Sequence, residues 1–147
     1  MQENNNIEMV ASAIVKRGDK YLLVQRLNPP SKDMYAFPGG RSEKGETPEQ
    51  TALRELEEET GLIGSHAKLY RDYVEQTEGY HFHLHVCKVD VHEFTNLRAM
   101  DDAKSLGWFT IKETQNLKMP ENMIDCFRHL AKDQTWQIDQ AIVKIVS

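Results

Sequence analysis

The stretch from Thr47 to Gly61, TPEQTALRELEEETG, constrains this chain most, because start signals, a stop signal and a charge pattern fall on one short helix. Thr47 is a good N-cap, Pro48 suits the first helical position, and Gln50 completes a capping box three residues after the cap. Gly61 ends the run as a C-terminal glycine does. The spacing predicts a helix over Pro48–Thr60. At about 100° per residue and with Arg54 set at zero, Glu58 falls near ~40°, Glu55 near ~100° and Glu59 near ~140°. Leu53, Leu56 and Thr60 point roughly the other way, toward a core. Carboxylates on neighbouring turns repel one another. A divalent cation removes that penalty, and hard cations such as Mg²⁺ prefer oxygen ligands. Arg54 is within helical reach of Glu57 and Glu58 and can orient one of them. The competing reading is a solvated acidic face, the commoner fate of a charge run.

Around this helix the chain alternates strand-like and helix-like runs. Met9–Val15 and Tyr21–Val24 are apolar and partly β-branched, with Gly18 between them, which predicts a hairpin. Further strands are expected at Ala67–Val74, Tyr80–Val91 and Leu106–Phe109. Thr110 and Glu113 form a second capping box and predict a short helix. Met123, Ile124, Phe127, Leu130 and Ala131 follow a helical stripe over Glu121–Lys132, while Trp136–Val146 mixes apolar and polar residues without a settled type. Strand groups separated by helices predict an α+β chain, or α/β/α, around a mixed β-sheet.

The length of 147 residues fits one domain, read here as residues 7–147 after a polar, frayed Met1–Asn6. A formal net charge of -5 argues against a bulk electrostatic grip on nucleic acid or an anionic membrane. No apolar run approaches the roughly 20 residues of a membrane span, and the first ten residues carry no secretory signal pattern. The two cysteines, Cys87 and Cys126, are too few and too far apart for a disulfide framework or a zinc spacing. The expectation is a soluble cytoplasmic protein.

From Gly40 to Leu62 the chain reads GRSEKGETPEQTALRELEEETGL. This resembles the Nudix box: a glycine, five residues, Glu, seven residues, then Arg-Glu-aliphatic-x-Glu-Glu-x-Gly-aliphatic. Gly40, Glu46, Arg54, Glu55, Leu56, Glu58, Glu59, Gly61 and Leu62 all match. At a usage of roughly 5–7% per residue type, chance would produce this on the order of 10⁻⁸ times in such a chain. The resemblance implies an α/β/α Nudix sandwich and hydrolysis of a nucleoside diphosphate linked to another group. It also implies roles for individual residues. Glu55, Glu58 and Glu59 match the family's metal-binding or base-supplying glutamates, helped by the Gly40 carbonyl, with Mg²⁺ as the ion and Mn²⁺ as a substitute. Glu46 and Arg54 match the pair that steadies the loop against the helix. Glu55 is the first choice as general base, although other branches of the family place the base elsewhere. Homodimers are common in the family.

Outside the box, Arg26 follows a strand where the family often carries a phosphate-contacting cation, and Arg41 is the other candidate, since arginine forks onto phosphate oxygens. Asp102, ahead of Trp108, resembles the position of a further acidic residue that serves as outer metal ligand or base. Glu113 is already explained by its capping box. His81, His83 and His85 share one strand face. That face is read as lining the substrate pocket, with a zinc site the less favoured reading because one strand cannot close a tetrahedron. Asn122, at the start of the last helix, has the donor and acceptor needed to read a purine edge, against the simpler reading of a first-turn residue.

The box leaves the substrate open. A nucleoside triphosphate, oxidised or otherwise non-standard, giving nucleoside monophosphate and pyrophosphate ranks slightly ahead of ADP-ribose or another nucleoside diphosphate sugar. The ADP-ribose branch tends to carry a proline shortly after the box, and none occurs between Pro48 and Pro120. The alternative of another class is a non-catalytic nucleotide sensor. Such domains usually lose box carboxylates, and all three are present here.

Overall fold

A computed structural model describes residues 7–100 and 103–146. The stretch Met1–Asn6, read above as frayed, and Asp102, read as an outer metal ligand, lie outside the described residues. Helix α1 spans Pro48–Thr60 as its end signals predict. The Thr47 hydroxyl accepts from the Gln50 amide at 3.2 Å, and the Gln50 side chain accepts from the Thr47 amide at 3.0 Å. Gly61 closes the helix at φ 78°, where its amide donates to the Glu57 carbonyl at 2.8 Å. A Cβ at Gly61 would also collide with the Asn96 carbonyl, so the left-handed turn and the close approach both call for glycine.

The strands form two four-stranded sheets. The first runs β5 (Gly39–Arg41), β1 (Glu8–Ile14), β7 (Tyr80–Val91), β6 (Gly64–Thr77), with β1 and β7 parallel and the other pairs antiparallel. The second joins β2 (Lys16–Arg17), β3 (Lys20–Arg26), β4 (Tyr35–Ala36) and β8 (Ala103–Thr110). A mixed sheet is therefore present, and the fold is α+β. The expected hairpin is only partly there. The turn at Gly18 forms, but only Lys16 and Arg17 pair across it with Tyr21 and Lys20. Strand β1 belongs to the other sheet, where its fully buried Ala11 and Ala13 are small enough to lie beneath α1; Leu22 joins that same core, while Leu23 packs in the core beneath α3. The chain changes sheets at Val15, whose carbonyl accepts from the Leu22 amide at 3.0 Å.

Helix α1 covers one face of the first sheet, burying Ala52 and Leu56 against Ala11, Ala13, Cys87 and Val89. After the capped short helix α2 (Ile111–Thr114), α3 (Glu121–Val146) covers the other face, with Met123, Cys126, Phe127 and Leu130 packed on Ile14, Phe37 and Val86. A bulge between Leu69 and Arg71 turns Tyr70 and Tyr73 toward α3. Their hydroxyls donate to Asp133 and Asp125 and tie the helix to the sheet edge. The helix expected over Glu121–Lys132 runs on to Val146: after Pro120 no helix breaker interrupts the chain, and Ile138, Ile142 and Ile145 keep a helical spacing. Among the described residues no helix is long and apolar enough to cross a membrane.

Candidate active site

A cavity of about 760 Å³ opens where β5, the start of α3 and the distal ends of β6 and β7 meet. Its chemistry begins with the loop that joins β5 to α1. Arg54 reaches from the helix into that loop, donating from Nε to Glu46 Oε2 at 2.7 Å and from Nη2 to Glu46 Oε1 at 2.9 Å and to the Arg41 carbonyl at 2.8 Å. Its Nη1 donates to Glu55 at 2.9 Å and to Glu58 at 3.1 Å. The Arg54 hydrogen bond holds the Glu46 carboxyl at about 2. Glu46, Glu55 and Glu58 in turn hold the guanidinium firmly charged. Thr51, fully buried, completes the knot: its hydroxyl stands 2.7 Å from the Ser42 hydroxyl and 3.0 Å from a Glu46 carboxylate oxygen. Thr51 carried no signal of its own in the sequence beyond its place within the helix.

Gly40 packs directly on Glu55. A Cβ there would stand 2.6 and 2.7 Å from the two carboxylate oxygens, so glycine leaves the space that the Glu55 carboxylate fills. Glu55 and Glu59 both line the cavity, together with Gly39, Gly40 and Arg41, and Glu59 is only 5% exposed. Glu58 is turned instead toward Arg54 and is not part of the cavity wall. Arg54 thus orients Glu55 and Glu58, whereas Glu57 is exposed.

The other candidates divide. Arg26 lines the cavity, with its Nε donating to the Pro30 carbonyl at 2.7 Å. Arg41 lines it too and pairs with Glu8 at 3.1 Å. Asn122 stands half-buried in the wall at the first turn of α3. His83 does not reach the cavity, which corrects the reading of the histidine face. The cavity takes the alternate set, Tyr80, Phe82 and Leu84. The cause is register: β1 aligns Glu8 with Phe82 and Val10 with Leu84, and side chains one residue out of step lie on the opposite face. His83 instead bonds Asp72 at 2.8 Å, keeping that carboxyl below its usual range, and its ring lies 4.1 Å from that of His85. Among the described residues no three His, Cys, Asp or Glu side chains converge as a ready metal cage, so the histidine strand gains no support as a zinc site.

A sheet sandwiched by helices, with a glycine loop and a glutamate helix opening on one cavity, defines a class of phosphate-handling fold. The NUDIX domain model matches residues 7–130, and the chain belongs to the Nudix hydrolase family. It is 32% identical over 118 residues to the ADP-ribose pyrophosphatase of Methanocaldococcus jannaschii, covering 79% of this chain and 69% of that one. It is also 32% identical over 110 residues to the CTP pyrophosphohydrolase of Escherichia coli, covering 73% and 78%. Among solved structures, a bifunctional NMN adenylyltransferase/ADP ribose pyrophosphatase from Francisella tularensis superposes with a TM-score of 0.74 at 27% identity. The match takes in 89% of this chain and 42% of that one. The same protein in complex with AMP and a manganese ion gives a TM-score of 0.73, with 27% identity over 87% of this chain and 42% of that one.

Proposed function

We propose that residues 7–147 act as a single catalytic domain that hydrolyses, with Mg²⁺, a phosphoanhydride bond of a nucleoside triphosphate to release nucleoside monophosphate and pyrophosphate. The observation that carries this reading is the shared placement of Gly40, Glu55 and Glu59 on one cavity wall, backed by the Arg54–Glu46 clamp. The donors on that wall are all oxygens, which suits a hard cation. Mg²⁺ is usually held by one or two carboxylates, waters and substrate phosphates rather than by a complete protein cage. Glu55, Glu59 and the Gly40 carbonyl would hold the ion, and Glu58 stays in the set on its match to the box alone. When bound, the ion would supply positive charge for the phosphates and lower the pKa of water. Manganese is the natural substitute, given the ion in the Francisella relative.

The chain's own residues do the rest. Glu55, bonded by Arg54 on one side and packed closely against Gly40 on the other, is the base that takes a proton from the attacking water. Arg26 and Arg41 meet phosphate oxygens, and Asn122 meets the base. A second reading, cleavage of ADP-ribose to AMP and ribose phosphate, is favoured by the relatives named as ADP-ribose pyrophosphatases. The experiment compares wild type with Glu59→Gln on triphosphates and ADP-ribose in Mg²⁺, with products separated by ion exchange. Pyrophosphate and nucleoside monophosphate from wild type alone support the first reading, and AMP from ADP-ribose the second. Equal activity of the variant would remove the glutamate helix from the chemistry, and binding without turnover would make the protein a sensor.

A further inference from the structure

The cavity wall carries more negative charge than a polyanionic substrate needs, and most of it is already committed. Glu8 pairs with Arg41 at 3.1 Å, Glu78 accepts the Ser31 amide at 2.8 Å, and Glu55 is held by Arg54. Glu121 is exposed at the start of α3. Glu75 is different. It is half-buried and lines the cavity, and its carboxylate makes no hydrogen bond or ion pair among the described residues. It stands directly opposite Phe82 across the β6–β7 ladder, so both side chains rise from the same sheet face into the cavity. On the far side of Phe82 the next strand carries Glu8, already bound to Arg41. A half-buried aromatic ring with an uncommitted carboxylate beside it suits the uncharged end of a nucleotide. The ring offers a stacking surface, and the carboxylate repels phosphate while accepting N–H or O–H donors.

We propose that Glu75, beside the Phe82 ring, selects the base, and that the site takes a nucleotide whose base presents two adjacent N–H donors, as guanine does. An ionised carboxylate only accepts hydrogen bonds, through two oxygens. Guanine offers N1–H and the 2-amino group side by side, which satisfies both. Adenine and cytosine set one amino group beside a ring nitrogen lone pair, which faces the second oxygen with repulsion. Uracil and thymine flank their one N–H with carbonyls. The inference rests on the reading of this cavity as a nucleotide site, and it names the substrate class within that reading. Glu75 is a specificity residue and has no part in breaking the phosphoanhydride bond.

The test measures equilibrium binding of GMP, IMP, dGMP, AMP and UMP by calorimetry in Mg²⁺, with wild type and Glu75→Gln. These monophosphates contain no phosphoanhydride bond, so the result does not depend on hydrolysis. Wild type is expected to bind GMP roughly 10- to 100-fold more tightly than IMP, which lacks only the 2-amino group, as the loss of a hydrogen bond to a charged group implies. AMP and UMP should fall at least as far, and dGMP should match GMP. Glu75→Gln should close the gap between GMP and IMP while the melting temperature stays near that of wild type. Equal binding of GMP and IMP by wild type, or a gap that survives in the variant, overturns the proposal. A gap that opens between GMP and dGMP instead would put the ribose diol on Glu75, and binding of no monophosphate at all would remove the base subsite. Hydrolysis without base preference would sink this inference and leave the proposed function standing.

Discussion

The Arg54 guanidinium grips Glu46 through two hydrogen bonds, Nε to Oε2 at 2.7 Å and Nη2 to Oε1 at 2.9 Å, and so fastens the loop before α1 to the helix itself. Forked contacts of this kind fix direction as well as distance. The remaining guanidinium nitrogen holds Glu55 and Glu58, so one side chain sets the geometry of three carboxylates.

Because Arg54 holds the Glu46 carboxyl at about 2 against an ordinary value of 4.5, the ion pair makes stability pH-dependent. A carboxyl whose pKa is depressed in the folded state contributes fully above its unfolded pKa, and the contribution is lost as pH falls through the folded value. Glu46→Gln should therefore cost about 1–2 kcal/mol at neutral pH, the range for a charge-assisted hydrogen bond that solvent still reaches. Urea midpoints of wild type and variant should stay equally separated above about pH 5 and converge toward pH 2. A separation unchanged across that window would mean that the pair does not set the stability of the loop.

Gly40→Ala should damage activity with little effect on folding. The new Cβ would stand 2.5 Å from Cδ of Glu55, and the carboxylate, at the end of a flexible chain, would have to move away. A displacement of about 1 Å at a reacting group costs on the order of 10²-fold in rate. The expectation is a fall of about that size in kcat on whichever nucleotide proves to be the substrate, with the melting temperature within a few degrees of wild type. An unchanged kcat would show that Glu55 works from another position.

The two free cysteines should be silent in the native protein. Cys87 and Cys126 are 0% and 1% exposed, and burial pushes their thiols up to about 11 and about 12. The thiolate is the reactive form. At pH 8 a colorimetric thiol reagent should find no reactive group in the folded protein and both after unfolding in guanidinium. Rapid reaction of either thiol in the native state would mean that the core beneath α1 or α3 opens.

Local chemistry was legible in the sequence wherever it depended on near neighbours. Thr47, Pro48, Gln50 and Gly61 fix the bounds of α1, and Thr110 with Glu113 fixes the short helix, because caps bond to groups three or four residues away. The box likewise marked the Arg54–Glu46 contact, since the eight-residue separation spans only the end of the loop and about two helical turns. Alternation along Tyr80–Val91 revealed a strand with two unlike faces, but nothing local says which face meets the cavity. The histidine face looked polar enough to line a pocket, yet β1 pairs in the register that gives the cavity Phe82 and Leu84. The change of sheets at Val15 escaped for the same reason: a hairpin and a crossover share the same turn, and only distant strands decide between them.

Near-neighbour chemistry was enough to establish the helix of glutamates, its caps, the loop that Arg54 fastens and the family to which these belong. All of that lies within one stretch of chain, where backbone geometry fixes which side chains meet. Long-range packing decided that Glu55 and Glu59 face the cavity, that His83 stands on the far face, and that Glu75 and Phe82 rise together into the cavity. Those outcomes depend on strand register and on the packing of α1 and α3 against opposite faces of one sheet. A shift of one residue in pairing exchanges the faces of a strand, and only the burial of the whole core selects between the two.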